Sequence, residues 1–246
     1  MTRFKAAGIH LLISFSIVAL VLTAMYFLWY PGAYFTLLGG KKLIALIGFV
    51  DVFLGPLLTL IVFKIGKKTL KFDLLCIGIV QVLALSYGVS VMFDSRPVFT
   101  VFNKDQFQIA AAVDITPEEL TKAKVPKWRK LSITGPVLVA IGIPDKKDRK
   151  ETMFAKVASA NAFRYPRLYD QYNNHIDQVI KSGKPLEHLG SKSAQNKTEI
   201  DKFIIEVDRP ESDFLFLPIS SVLANMSVIV DKKTGELIKI IDAKEK

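Results

Sequence analysis

The residue with the most chemistry to offer is an aspartate set inside an apolar run. Asp51 sits in LIALIGFVDVFLGPLLTLIVF, residues 43–63. On a helix, Gly48, Asp51, Gly55 and Thr59 recur at i, i+3, i+7 and i+11 and share one face. If that run crosses a bilayer, Asp51 lies about 13 Å below the outer interface at 1.5 Å rise per residue. An ionised carboxyl there costs at least about 2.5 kcal/mol, so it must be paired or protonated. Either Asp51 bonds a neighbouring run and fixes the helix packing, which small residues on that face permit, or it is a proton site or a docking point for another transmembrane helix. Gln81 and Tyr87, on a later run with Ala84 and Gly88, and Thr23 on an earlier one are the polar groups at similar depth. Pro56 predicts a kink one turn beyond Asp51.

The remaining reactive types carry weaker signals. His10 opens the first apolar run and reads as an interfacial residue. His175 and His188 stand 13 apart in polar surroundings and read as surface histidines, since a metal would need more ligands. No GxSxG, HExxH, P-loop or GxGxxG occurs, and the single Cys76 excludes an intramolecular disulfide and any zinc cluster built on cysteines. Asp94, Asp105 and Asp114 bracket turns. Asn196-Lys-Thr and Asn225-Met-Ser match the glycosylation sequon. No cofactor, metal or catalytic residue is expected. A second candidate surface is FRYPRLYDQY, where Phe163, Tyr165, Tyr169 and Tyr172 gather beside two arginines. Such rings either pack over a sheet or bind a protein partner.

The elements that must position these residues divide the chain. Three apolar runs, 9–30, 43–63 and 74–93, are each long enough for about 30 Å of hydrocarbon. Tyr26, Phe27, Trp29 and Tyr30 close the first run as an interfacial aromatic belt, which favours an uncleaved span over a signal peptide. Six Lys/Arg (Arg3, Lys5, Lys64, Lys67, Lys68 and Lys71) fall on one side of a three-span arrangement, and Lys41 and Lys42 on the other. The positive-inside rule then puts the N-terminus in the cytoplasm and residues 95–246 outside, which is the periplasm in a Gram-negative cell.

Beyond Asp94, apolar residues interleave with charge as in a globular domain. Val98–Phe102 and Phe107–Val113 read as strands around a turn. Thr116, Pro117 and Glu119 mark a helix start. A buried strand is expected over 135–144, helices over 145–160, 176–182 and 198–207, and strands over 214–219, 226–230 and 237–241. The expected fold is a three-helix transmembrane region, residues 1–94, followed by an α+β domain with a mainly antiparallel sheet.

A net charge of +10 invites a nucleic-acid reading. Eight basic and two acidic residues precede Asp94, against 25 and 21 from there on. Most of the excess therefore flanks the apolar runs, where it sets topology, and nucleic acid is not an expected partner.

The order of motifs resembles the type IV pilin accessory proteins of the TfpX/TfpZ kind. The likeness runs through FKAAGIHLLIS (4–14), WYPGAYF (29–35), DVFLGPLLTLIVF with GKKTLKFDLL (51–75), Gln81, Ala84, Tyr87 and Gly88, and RPVFTVFNKDQF (96–107). It is weaker at 135–140 and 165–169. The resemblance implies an inner-membrane protein that assists the stability, assembly or dynamics of the major pilin, with no catalytic residues to carry over. Two other classes compete. A membrane-anchored periplasmic sensor is disfavoured because the longest expected cytoplasmic loop has about ten residues. A pilin-modifying enzyme is disfavoured because no nucleophile–base pair is legible.

Overall fold

A computed structural model describes residues 2–142 and 159–245. The helix expected over 145–160 lies almost wholly outside them. The chain separates into two compact units, one running to Phe35 and resuming over Gly39–Ser95, the other made of Thr36–Leu38 and Arg96 onward.

The first unit is helical. Helix α1 (Arg3–Leu28) begins at Thr2, whose hydroxyl accepts a hydrogen bond from the Lys5 amide. A single turn, α2 (Tyr34–Leu37), follows, and its last two residues belong to the second unit. The long helix α5 (Leu70–Asp94) closes the unit. Among the described residues, only α1 and α5 are helices long and apolar enough to cross a membrane. The middle run, expected as one span over 43–63, is instead built of three pieces: α3 (Gly40–Gly48), a π-helical stretch (Phe49–Leu54) and α4 (Gly55–Val62). Pro56 supplies the physical reason. It has no N–H to give the carbonyl one turn back, and its ring crowds that carbonyl. The helix widens before it, and the Gly55 amide donates to Val50 O, five residues back. Tyr30 is buried and donates from its hydroxyl to Met92 O at 2.6 Å. Trp29 meets Phe93 edge-on at 5.0 Å.

The second unit is an α+β fold around a mixed, mostly antiparallel sheet. Its strands are β1 (Pro97–Asn103), β2 (Gln106–Ala111), β3 (Val137–Ile141), β4 (Tyr169–Gln171), β5 (Lys184–Pro185), β6 (Phe214–Ser220), β7 (Asn225–Asp231) and β8 (Leu237–Ile241). They run in the order β4-β3-β1-β2-β6-β7-β8, with β5 beside β6. Two pairings are parallel, β1 with β3 and β2 with β6. The second joins the two halves of the sheet through Phe107–Ile219 and Gln108–Ser220 alone. Each half has its own core. Phe99, Val101, Trp128, Val139 and Tyr169 fill one. Leu189, Phe203, Phe214, Phe216 and Ile229 fill the other.

Local signals account for the helices of this unit. Thr116 accepts from the Glu119 amide to start α6 (Pro117–Thr121). Helix α7 (Ile176–Ser182) stops at Gly183, α8 (Leu186–Gly190) follows, and α9 (Ala194–Val207) is capped by Ser193 and ends at Asp208 in the left-handed conformation. Asn196 is buried and fully engaged, donating to Leu189 O and Lys244 O and accepting from the Lys244 amide. Its sequon is therefore closed to modification in the folded chain. Leu37 is buried, and its carbonyl accepts from Ser221 Oγ at 2.6 Å.

Candidate functional site

The inner faces of the first unit carry a polar seam. His10 Nε2 lies 2.7 Å from Gln81 Oε1, and His10 Nδ1 lies 2.5 Å from Thr59 Oγ1. The Gln81 amide donates to Asp51 O at 3.0 Å and to Ser14 Oγ at 3.4 Å. The Gln81 carbonyl accepts from His10 Nε2–H, and the Thr59 hydroxyl pairs with the other ring nitrogen. The seam thus ties α1, the middle run and α5 together. Glycine makes it fit at Gly55, where a Cβ would fall 2.1 Å from Gln81 Nε2. Gly88 is close-packed in the same way, with a would-be Cβ 2.8 Å from Ile47. At Gly48 nothing lies within 4 Å.

Asp51 stands apart from this seam by its side chain. It is 4% exposed, and its Oδ2 has no hydrogen-bond partner. Asp51 is among the residues that line a half-open cavity of about 220 Å³ between α1 and α5, with His10, Ser14 and Gln81 as the other polar lining. Ile13, Ile17, Val82 and Leu85 supply apolar walls. Helices α1 and α5 both pack along the middle run and scarcely on each other, which leaves this groove between them. Leaving a buried polar atom unpaired costs about 1–3 kcal/mol, more for a charge.

The expected helix-docking set is therefore partly gathered. Asp51, Gly55, Thr59 and Gln81 come together around the seam. Gly48 contributes no close approach, and Tyr87, 72% exposed, turns outward. Thr23 is also exposed, so neither offers Asp51 a hydrogen bond. His10 and Ser14 were not read as members. Their signal was the four-residue ridge Ala6, His10, Ser14 and Val18 on α1, which puts two polar side chains on an otherwise apolar inner face.

The aromatic segment is largely interior. Phe163, Tyr169 and Tyr172 are buried, and Tyr169 forms part of edge strand β4. Tyr169 donates its hydroxyl to Phe163 O, and Tyr172 donates to Gly235 O at 2.7 Å. Burial pushes both phenols well above the ordinary tyrosine range. These rings hold the sheet and leave only Tyr165 partly accessible, with the Arg167 guanidinium 5.4 Å from its centre.

Comparison with known proteins adds a name to the pattern. The family model of the fimbrial assembly protein FimB matches residues 1–39. The chain is 32% identical over 234 residues to the fimbrial assembly protein of serogroup E1 from Dichelobacter nodosus, covering 93% of this chain and 90% of the relative. It is 31% identical over 237 residues to the serogroup I protein of the same organism, with coverage of 93% and 90%. A shorter relative, of serogroups C1 and C2, is 37% identical over 121 residues, covering 48% of this chain and 92% of its own. No solved structure matches.

Proposed function

The chain belongs to the family of fimbrial assembly proteins, and from that premise we propose that it is a non-catalytic inner-membrane accessory protein of type IV pilus biogenesis. In this reading it binds the major pilin while the pilin is still in the membrane. The observation that carries the reading is the inversion of the first unit. Its polar side chains (His10, Ser14, Thr59 and Gln81) point inward, while Leu20, Phe27, Ile61 and Leu83 are exposed on the outside. That arrangement suits lipid as the surrounding solvent.

The middle run completes a third crossing. Its pieces of 9, 6 and 8 residues reach about 34 Å at 1.5 Å per residue, enough for a bilayer. Three crossings place the lysine-rich 64–71 loop in the cytoplasm and residues 95–246 in the periplasm. Similarity to the accessory proteins of the TfpX/TfpZ kind supports the pilin as partner.

Two measurements test this reading. In a Cys76→Ser background, a membrane-impermeant maleimide should label cysteines placed at Val113 and Ile205 in cells with a permeabilised outer membrane, and not one at Lys68. Labelling at Lys68 alone would reverse the topology. Deletion of the gene should lower surface pili at least tenfold, with recovery on complementation; undiminished piliation would refute the assembly role.

A further inference from the structure

Among the described residues of the second unit, the tip of the β6–β7 hairpin is the one place where two consecutive large apolar side chains both face outward: Val222 is 77% and Leu223 66% exposed. We propose that this tip is a membrane-surface anchor, with both side chains seated in the headgroup and upper acyl layer of the leaflet on the second unit's side of the bilayer. The proposal rests on the membrane reading above and adds to it a contact between the second unit and lipid.

Connectivity, charge and backbone bonding each point to lipid. The Ser221 hydroxyl donates to Leu37 O at 2.6 Å, inside the second unit. Leu37 comes three residues before Gly40, the first residue of α3, and that length of chain spans at most about 10 Å. Lys41 and Lys42 follow at the outer end of the middle run, where basic side chains reach for headgroups. The interfacial layer is about 5–8 Å deep on each side of the hydrocarbon, so the bond to Leu37 holds the tip within reach of it. Three crossings also put the 31–42 connector and residues 95–246 on one side, as that bond requires. From Phe214 to Val230 the chain has no Asp, Glu, Lys or Arg, so seating the tip desolvates no charge. Its backbone is already served. The Leu223 and Ala224 amides donate to Ser221 Oγ at 3.1 and 3.0 Å, and the Ser221 amide donates to Ala224 O at 2.9 Å. These groups can enter a water-poor layer without being left unpaired. Two side chains also offer far less than the roughly 800 Å² per partner of a specific protein interface, whereas a lipid surface needs no such area.

The test uses full-length protein carrying Cys76→Ser, in vesicles of phosphatidylethanolamine and phosphatidylglycerol. An environment-sensitive fluorophore is attached in turn through Leu223→Cys, Lys233→Cys and Leu20→Cys. Lys233 lies just beyond the other end of β7, about 20 Å of strand away. Leu20 is exposed on α1. Nitroxide-bearing phospholipids should quench the Leu223 label at least threefold more than the Lys233 label. Ser221→Ala, which removes the tie to Leu37, should lower that quenching at least twofold, and Ser221→Thr, which keeps a hydroxyl, should preserve it. Equal quenching at Leu223 and Lys233, with the Leu20 label quenched, overturns the anchor and leaves the membrane reading standing. An unquenched Leu20 label overturns that reading and the anchor with it. A Leu223 label that only a second copy of the chain or added pilin shields from an aqueous quencher also overturns the anchor. Quenching at Leu223 that Ser221→Ala leaves intact overturns Ser221 as the positioning residue.

Discussion

The two units of this protein differ in what they expose. In the second unit Phe99, Phe107, Phe216 and Ile229 are wholly inside, and charged side chains cover the surface. In the first, Leu20 and Phe27 are each 72% exposed, while Ser14, Asp51 and Thr59 are buried. The hydrophobic effect explains the second unit directly: removing apolar area from water is favourable. It cannot order helices whose outer faces are already apolar. There, close contact at small residues and hydrogen bonds between helices must do so. Gly55 against Gln81, and Gly88 against Ile47, are those contacts.

The largest effect should separate the two modes. Phe216→Ala empties the second core and should cost about 3–5 kcal/mol, read by denaturant unfolding of the full chain in detergent. Leu20→Ala, on the outer face of α1, should stay within about 0.5 kcal/mol. A comparable loss at Leu20 would mean that this face is a packed interface, and the contrast between the units would fail.

The glycines offer a finer version of the same contrast. Gly55→Leu drives a side chain into the Gln81 amide, 2.1 Å from the would-be Cβ, and overpacking of that kind costs up to about 3 kcal/mol. Gly48→Ala meets nothing within 4 Å. It should be neutral or stabilising by up to about 1 kcal/mol, because alanine favours a helix over glycine. Thermal unfolding of both variants checks the difference, and equal losses would show that the whole glycine stripe is close-packed.

How far the sequence is legible follows from how local each signal is. The start of α6, the end of α7, and strands β7 and β8 depend on the Thr116 cap, Pro117, Gly183 and the 231–235 turn, all within a few residues, and they stand where expected. Pro56 announced a distortion but not its form. The π stretch depends on how Val50 and Gly55 share a hydrogen bond. His10 was read as interfacial because its partners, Thr59 and Gln81, are 49 and 71 residues away. The aromatic segment stays open between packing and binding in the sequence for a related reason. Composition announces rings, but only the pairing of β4 with β3 shows that Tyr169 faces a core. The two parallel pairings were likewise invisible, because each joins strands separated by other elements.

Asp231 gives the second unit a counterpart to Asp51. Both carboxyls are buried, but Asp231 accepts from the Lys233 and Thr234 amides and from the Arg209 guanidinium. Those bonds, led by the Thr234 amide, hold its pKa down at about 2, against an ordinary 3.8. A depressed carboxyl stabilises the fold wherever it is ionised in both states. That contribution, about 2 kcal/mol by linkage, is complete above the unfolded value. It is lost as pH falls from about 4 towards 2. Asp231→Asn should therefore lower stability by about that amount at pH 7. The gap to wild type should close through the same acid window in a series of denaturant titrations. A gap that does not narrow with acid would mean that the turn geometry, and not the charge, is what Asp231 provides.

The smallest effect distinguishes two tyrosines of the first unit. Tyr30 is buried and donates to Met92 O, joining the chain that follows α1 to the end of α5. Tyr87 lies on α5 with its ring turned outward. Removing one buried hydroxyl that serves a backbone carbonyl costs about 1 kcal/mol. Tyr30→Phe should lower the unfolding midpoint in detergent accordingly, and Tyr87→Phe should leave it unchanged. The comparison holds ring size constant, so it isolates the hydrogen bond from the packing. If Tyr87→Phe were the more damaging of the two, the outer face of α5 would carry a polar contact, and the inward direction of the polar seam would no longer describe the unit.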